Sequence, residues 1–335
     1  MASERSEAIP VRWGVLSTAN IGVKAVIPGI LAAGNATLHA IASRDGARAS
    51  ALTARWPGVR AYGSYEELLE DPDVDAMYIP LPNGMHLEWT VRAAEHGKHV
   101  LCEKPLAATE ADARRMFAAC KAAGVHLMEA FMYRFHPQIR WVREQIAAGA
   151  IGPVRMARGS FAFDIRTRPR DIRLRAVLDG GSLMDVGCYP LSFCRTVFGK
   201  GPDAAVARVD VPAKSEVELT VGAVLDFGSG RIGMMDSSFA QPPHQVAEVV
   251  GEAGRIVIPR PYTPGHNDTH VFLIRGDETI ERRFAGTDHY RLEVEHFSDC
   301  VRTGATPEIT EADSLEQARA IETIYAAAQY RWPRR

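Results

Sequence analysis

The stretch "VLCEKPLAAT", residues 100–109, runs an apolar segment straight into Glu103 and Lys104 and closes it with a proline. Charged residues rarely end a buried strand without a partner or a task. A second set lies in "GGSLMDVGCYPLSF", 180–193. Asp185 and Tyr189 stand four apart there and share one face of a helix. A third is "WGVLSTANIGVKAV", 13–26, which has Ser17, Ala19 and Gly22 where a dinucleotide fingerprint reads GxGxxG. Small residues still let backbone amides at a helix N-terminus approach a pyrophosphate. The Ser17 and Thr18 hydroxyls add donors, and Asn20 and Ile21 complete the turn. Alone, the same pattern also fits an ordinary tight turn. A fourth set is Ser43, Arg44 and Arg48, at the end of a second strand where NAD sites carry an acid. A hydroxyl and two arginines suit a 2′-phosphate, so NADP is expected rather than NAD. Asp45 reads as a helix cap, and solvated surface charge is the competing account of the arginines.

These residues need elements to hold them. Up to residue 128 the chain alternates strands and helices: strand at 11–16, helix 21–33, strand 36–43, helix 45–56, then a short helix to 70. A strand at 75–81, helix 85–96, strand 98–103, helix from Thr109 to Gly124 and strand 125–128 follow. That rhythm predicts a doubly wound parallel sheet, a Rossmann domain over 1–128. Ligands then sit outside the carboxyl ends of the strands. Glu103, Lys104 and, from "PLPNGMH", Leu81, Asn83 and His86 therefore face the crevice as cofactor contacts. Asn83 also reads as a helix cap, His86 as a satisfied histidine, and Glu103 as a structural partner. Beyond residue 128 come a helix at 137–149, a helical 182–198, seven strand runs between 204 and 284, and two closing helices. This predicts a second α+β domain, 129–335, with a large, mostly antiparallel sheet for substrate binding and oligomerisation. Its last helix is placed back against the first domain.

Composition excludes several classes. With 335 residues, 46% hydrophobic, and a net charge of −2 without a basic stripe, neither nucleic acid nor a membrane is expected as partner. No apolar leader stands at Met1–Pro10 and no transmembrane run follows. Five cysteines without CxxC spacing read as thiols of a cytoplasmic protein, not staples or zinc ligands. "HNDTH" (His266, Asp268, His270) reads as loop, so no metal is expected. Glu216 and Glu218 read as one solvated strand face.

Taken together, the turn at 17–22, Glu-Lys-Pro at 103–105, "MEAFMYRFHP" at 128–137 and the 180–193 motif resemble the glucose–fructose oxidoreductase, inositol dehydrogenase and MocA (Gfo/Idh/MocA) family. The resemblance covers nearly the whole chain. It implies hydride transfer between a nicotinamide cofactor and a sugar-like secondary alcohol, such as C1 of a pyranose. Lys104 matches the family lysine that hydrogen-bonds the reacting oxygen. Asp185 and Tyr189 match the acidic and terminal residues of the family's Asp-x-x-x-His/Tyr motif. Tyrosine in place of histidine points to the branch of glucose–fructose oxidoreductase, xylose dehydrogenase and dihydrodiol dehydrogenase. A tyrosine is a poor base at neutral pH, but an adjacent lysine cation stabilises its phenolate, so Lys104 and Tyr189 form a proton-transfer pair. Phe131, Arg134, Phe163 and Arg175 are the expected substrate contacts. The rival substrates are a trans-dihydrodiol and a keto-sugar. A non-catalytic NADP-binding regulator is the rival class, against which Lys104, Asp185 and Tyr189 argue. The resemblance also implies a homodimer or homotetramer.

Overall fold

Short apolar runs separated by capped helices build the first sheet. In this computed structural model, which describes residues 9–330, its strands are β1 (Val11–Leu16), β2 (Ala36–Ala42), β3 (Arg60–Tyr62), β4 (Ala76–Ile79), β5 (His99–Glu103) and β6 (Leu127–Ala130). Most of the N-terminal segment read for a leader lies outside the described residues. All neighbours pair in parallel, in the order β3-β2-β1-β4-β5-β6. The order reverses between β1 and β4, where an open α/β sheet forms a crevice. The intervening helices start where side chains accept the orphan amides of their first turns. Asp45 accepts from the Ala47 and Arg48 N–H groups, Ser64 from Glu67, and Thr109 from Asp112. Strand β3 is not legible in the sequence: it is a three-residue edge strand without an apolar run.

The second sheet comprises β7 (Val154–Ala162), β8 (Ala204–Asp210), β9 (Thr220–Asp226), β10 (Ile232–Ser238), β11 (His244–Gly251), β12 (Arg255–Ile258), β13 (Thr269–Arg275) and β14 (Glu278–Phe284). Their order is β14-β13-β12-β11-β7-β10-β9-β8, antiparallel except for the β7–β10 pair. The unexpected strand is the central one. In β7, Arg155, Arg158 and Gly159 interrupt the apolar alternation by which a strand is read. Gly159 has a packing reason, since a Cβ there would stand 2.6 Å from Cβ of Pro190. The helix Cys188–Phe198 thereby lies close on the sheet. The opposite face stays open: Val206, Val224 and Met234 are exposed on β8, β9 and β10.

The closing helices pack on the first sheet's layers. Trp13 of β1 donates its indole N–H to the Ser298 hydroxyl at 3.1 Å, from the helix His289–Thr303. Leu315 and Ala318, from the helix Glu311–Ala327, join the core around β4 and β5. All five cysteines are buried and free. Among the described residues no helix is long and apolar enough to cross a membrane.

Candidate active site

The carboxyl ends of β1, β4 and β5 open into a cleft of about 590 Å³, roofed by loop 163–180 and the helix beginning at 182. Thr18, Ala19, Asn20, Ile21, Arg48, Leu81, Asn83, Glu103, Lys104, Phe163, Asp185 and Tyr189 all line it. The structure therefore brings together residues up to 272 positions apart in sequence, counted from Thr18 to Tyr290.

At its centre Lys104 donates from Nζ to the Asp185 backbone carbonyl at 2.8 Å and to Asp185 Oδ1 at 3.4 Å. Arg173 Nε donates to the other oxygen of that carboxylate at 2.7 Å. Burial works against the Asp185 charge, but Lys104 and Arg173 together hold its carboxyl below the usual range. Burial works most strongly against the Lys104 ammonium, but Asp185, Cys188 and Glu103 together more than offset it, so the lysine stays protonated at neutral pH. The ammonium lies 4.8 Å from the centre of the Tyr189 ring, over its face. The Tyr189 hydroxyl points instead at Met132 Sδ, 3.5 Å away. The expectation of a lysine-stabilised phenolate is thus corrected: burial pushes the Tyr189 phenol well above its ordinary value, and the lysine meets the ring rather than the oxygen. Glu103 accepts from the Tyr78 hydroxyl at 2.5 Å, and burial raises its carboxyl. This makes it a buried partner at the cleft floor.

Asp185 and Tyr189 do not stand on a regular α-helix. The turn Leu183–Gly187 is π-helical and runs into the α-helical Cys188–Phe198. The helix after β1 has the same feature, a π-helical Gly22–Val26 followed by Ile27–Ala32. Such widened turns recur at functional sites.

The phosphate turn fits a dinucleotide. Ser17, at the place of the fingerprint's first glycine, adopts φ = +135°, a region that favours glycine. Its hydroxyl accepts from the Ala19 N–H at 3.2 Å, which places it behind the cleft wall as a turn brace. Asn20 and Ile21, the first residues of helix 20–32, line the cleft. Ser43 is buried, its hydroxyl accepting from the Asp45 N–H at 3.2 Å. Arg44 is exposed outside the cleft lining, near Tyr65, whereas Arg48 lines the cleft.

Four expected contacts are corrected. His86 is fully buried and bound at both ring nitrogens to backbone carbonyls, Nδ1 to Pro105 at 3.0 Å and Nε2 to Leu81 at 2.9 Å. It braces the loops that carry Leu81 and Lys104 and does not line the cleft. Phe131 is buried one layer back, edge-on to Tyr189 with centroids 5.6 Å apart. Arg134 is buried away from the cleft and paired with Asp313 of the last helix. Arg175 faces solvent and pairs with Glu216 at 3.1 Å. Asn83 lines the cleft, but its amide donates to the Asp179 carbonyl at 2.8 Å and so ties the two sides together instead of capping a helix.

The residue that sequence reasoning missed is Arg173. Asp171 caps its turn, accepting from the Arg173 N–H at 3.1 Å, and "DIR" was a readable signal for that cap. Tyr290 also lines the cleft, from more than 100 residues beyond the motif, with no local signal. Among the described residues His39, Asp71 and Asp73 have ligand-like spacing, but Arg60 already bridges both carboxylates at 3.0 and 2.9 Å. In "HNDTH", Asp268 pairs with Arg283 and His270 with Glu281 across the β13–β14 hairpin.

A parallel sheet whose switch point carries a phosphate turn, a protonated lysine and a tyrosine defines a nicotinamide-dependent oxidoreductase. Residues 11–131 match the oxidoreductase family with an NAD-binding Rossmann fold, and residues 139–257 match the Gfo/Idh/MocA C-terminal domain. The chain belongs to the Gfo/Idh/MocA family. It is 41% identical over 318 residues to D-xylose 1-dehydrogenase (NADP(+)) 2 of Haloferax volcanii, covering 95% of this chain and 97% of that one. A solved 3-ketoreductase from Actinomadura kijaniata, in complex with NADP and TDP-benzene, superposes with a TM-score of 0.86 at 32% identity, over 95% and 98% of the two chains. An aldose-aldose oxidoreductase from Caulobacter crescentus, complexed with glycerol, gives 0.89 at 29% identity over 96% and 98%.

Proposed function

We propose that this protein transfers a hydride between NADP and a sugar CH–OH group, oxidising an aldose at C1. The observation that carries the reading is the Lys104–Asp185–Tyr189 cluster at the carboxyl end of β5, beside the phosphate turn. The likeness to an NADP-dependent D-xylose dehydrogenase supports both cofactor and substrate class. Bound NADP supplies the hydride acceptor or donor at C4 of its nicotinamide ring. Arg48 would pair with the 2′-phosphate, and the turn at 17–21 would receive the pyrophosphate. Lys104 spends two of its three N–H bonds on Asp185 and offers the third to the reacting oxygen. In reduction Tyr189 gives its phenol proton to that oxygen; in oxidation it takes the sugar's hydroxyl proton after releasing its own to solvent. Arg173 keeps Asp185 charged and in place, so Lys104 is oriented before substrate arrives. Phe161, Phe163 and Met132 exclude water around the reacting carbon.

The test is a screen of aldoses, D-xylose included, with NADP⁺ and separately NAD⁺, followed by nicotinamide absorbance. NADP⁺ reduction by an aldose is expected. NADPH binding without turnover of any aldose or keto-sugar would overturn the reading in favour of a regulator. We further propose association through the open face of the second sheet, because Val206 is 71% exposed and Val224 44% on adjacent strands. Light scattering at the monomer mass of 36.7 kDa would refute it. Five unpaired buried cysteines support a reducing, cytoplasmic location.

A further inference from the structure

We propose that Glu218 is a positioning residue that, with the glycine pair 180–181, fixes the π-helical turn carrying Asp185 and leading into Tyr189. The proposal rests on the reading that these two residues act on the substrate. The sequence pattern puts Glu218 on a solvated strand face beside Glu216. The structure instead buries it fully.

Its Oε1 accepts from the Leu183 N–H at 3.0 Å and from the Tyr325 hydroxyl at 3.1 Å. Its backbone carbonyl accepts from the Ser182 N–H at 3.2 Å. First-turn amides lack partners inside their own helix and are normally satisfied by a local cap. Ser182 is in the cap position, but its side chain makes no cap bond and turns to Ser237 Oγ, 3.2 Å away. A carboxyl group 35 residues further along, in the loop that leads into β9, therefore does the capping.

The glycines match this arrangement on both sides. Gly181 sits at φ = +115°, and a Cβ there would stand 2.5 Å from the Glu218 carboxylate oxygens. A Cβ on Gly180 would stand 2.3 Å from the Arg173 carbonyl, which accepts from the Gly181 N–H at 2.8 Å. The Asp185 N–H in turn donates to the Gly181 carbonyl at 3.1 Å. One pair of glycines thus holds the Arg173 loop against one side of the turn and Glu218 against the other. Asp185 is where the two meet. Burial pushes the Glu218 carboxyl up to about 7, so a neutral side chain can stand in its place. A glutamine oxygen would accept the same two bonds.

The test compares Glu218→Ala, Glu218→Gln and Gly181→Ala by hydrogen exchange in the protein without ligand, by NADPH titration and by kcat in the sugar assay. Glu218→Ala is expected to speed amide exchange in 181–190 by about tenfold without changing exchange elsewhere. Its kcat should fall by about 10- to 100-fold, the usual effect of a small misplacement, with NADPH affinity unchanged. Glu218→Gln should restore both, and Gly181→Ala should reproduce the alanine variant. Unchanged exchange in 181–190 in both alanine variants overturns the proposal. So does a lowered Tm with kcat per folded molecule unchanged. Should Glu218→Ala fail to fold, the other two variants decide: glutamine no better than unfolded, or Gly181→Ala fully active, overturns it. Exchange needs no substrate, so failure of the sugar reading leaves this measurement standing.

Discussion

Replacing Lys104 by methionine keeps the length of the side chain and removes its charge. The Lys104 side chain is 11% exposed and its partner Asp185 17%. Stranding one charge of a buried pair costs about 3–5 kcal/mol. Here Asp185 is not stranded, because Arg173 Nε stays 2.7 Å from its other oxygen. What is lost reduces to one or two charge-assisted hydrogen bonds, about 2–3 kcal/mol, offset in part because no ammonium is then buried. The fold should therefore persist with a modestly lowered Tm. NADPH affinity should hold, since the proposed phosphate contacts are the turn at 17–21 and Arg48, not the lysine. The chemical step loses the group that polarises the reacting oxygen, and kcat should fall by about 10²–10⁴. Tyr189→Phe should act likewise, and the double variant should be little worse than either single one. The assay is kcat at saturating cofactor and Tm on one sample of Lys104→Met. A kcat close to the parent's per folded molecule, with Tm alone reduced, would refute the reasoning and make the lysine a structural partner of Asp185.

Three other outcomes follow from the same contacts. Arg48→Ala should weaken NADPH by at least about tenfold and leave NADH unchanged, the loss of one charged hydrogen bond; equal affinity for both cofactors in the unmutated protein would contradict it. Arg134→Ala should lower Tm, by about 2–4 kcal/mol of stability, yet spare kcat, because its partner Asp313 lies outside the cleft and keeps Arg195 at 3.1 Å; a selective rise in substrate KM would restore Arg134 to the pocket. Glu129 is buried, accepts from the Leu106 N–H at 2.9 Å, and burial raises its carboxyl to about 7. A raised folded-state pKa gives stability that is complete below the unfolded value and is lost as pH rises through about 7. Urea denaturation should therefore show Glu129→Gln gaining about 2 kcal/mol on the parent between mildly acidic and mildly alkaline pH; a constant difference would refute the shift.

The legible parts of this chain are those governed by local rules. Helix starts at Asp45, Ser64 and Thr109 followed from a side-chain oxygen and an orphan amide, and these are contacts within three residues. Lys104 was legible because an apolar strand ending in charge is anomalous by itself. Arg134 and Arg175 show the limit. Both are arginines near the motif, and although Asp171 marks a turn at Arg173, nothing local says that its guanidinium reaches Asp185 twelve residues on. Strand β7 failed for a related reason: its glycine is there for Pro190, and its arginines meet Glu248 and Glu252 on the neighbouring strand or just beyond it. Glu218 failed most completely, since an alternating pattern assigns a face but cannot say that a helix end covers it.

The phenol of Tyr189 shows how far such reasoning reaches into electrostatics. The sequence brings lysine and tyrosine near each other, but proximity does not give direction. The ammonium lies over the ring, where it meets the negative face of the π-system, and the hydroxyl oxygen lies elsewhere. Burial then decides, and it favours the neutral phenol. The protein without cofactor accordingly holds its proton on Tyr189, next to the weak acceptor Met132 Sδ, which a sugar oxygen can displace at little cost. That state is ready to protonate a carbonyl in reduction. In oxidation Tyr189 can take the sugar's hydroxyl proton only after releasing its own to bulk water, so charge elsewhere in the cleft has to favour that loss. A difference titration of phenolate absorbance, parent against Tyr189→Phe, without cofactor, isolates this one group. No difference should develop until the pH exceeds about 10. A midpoint near neutrality would mean that Lys104 reaches the oxygen after all, and that the resting protein is already a base.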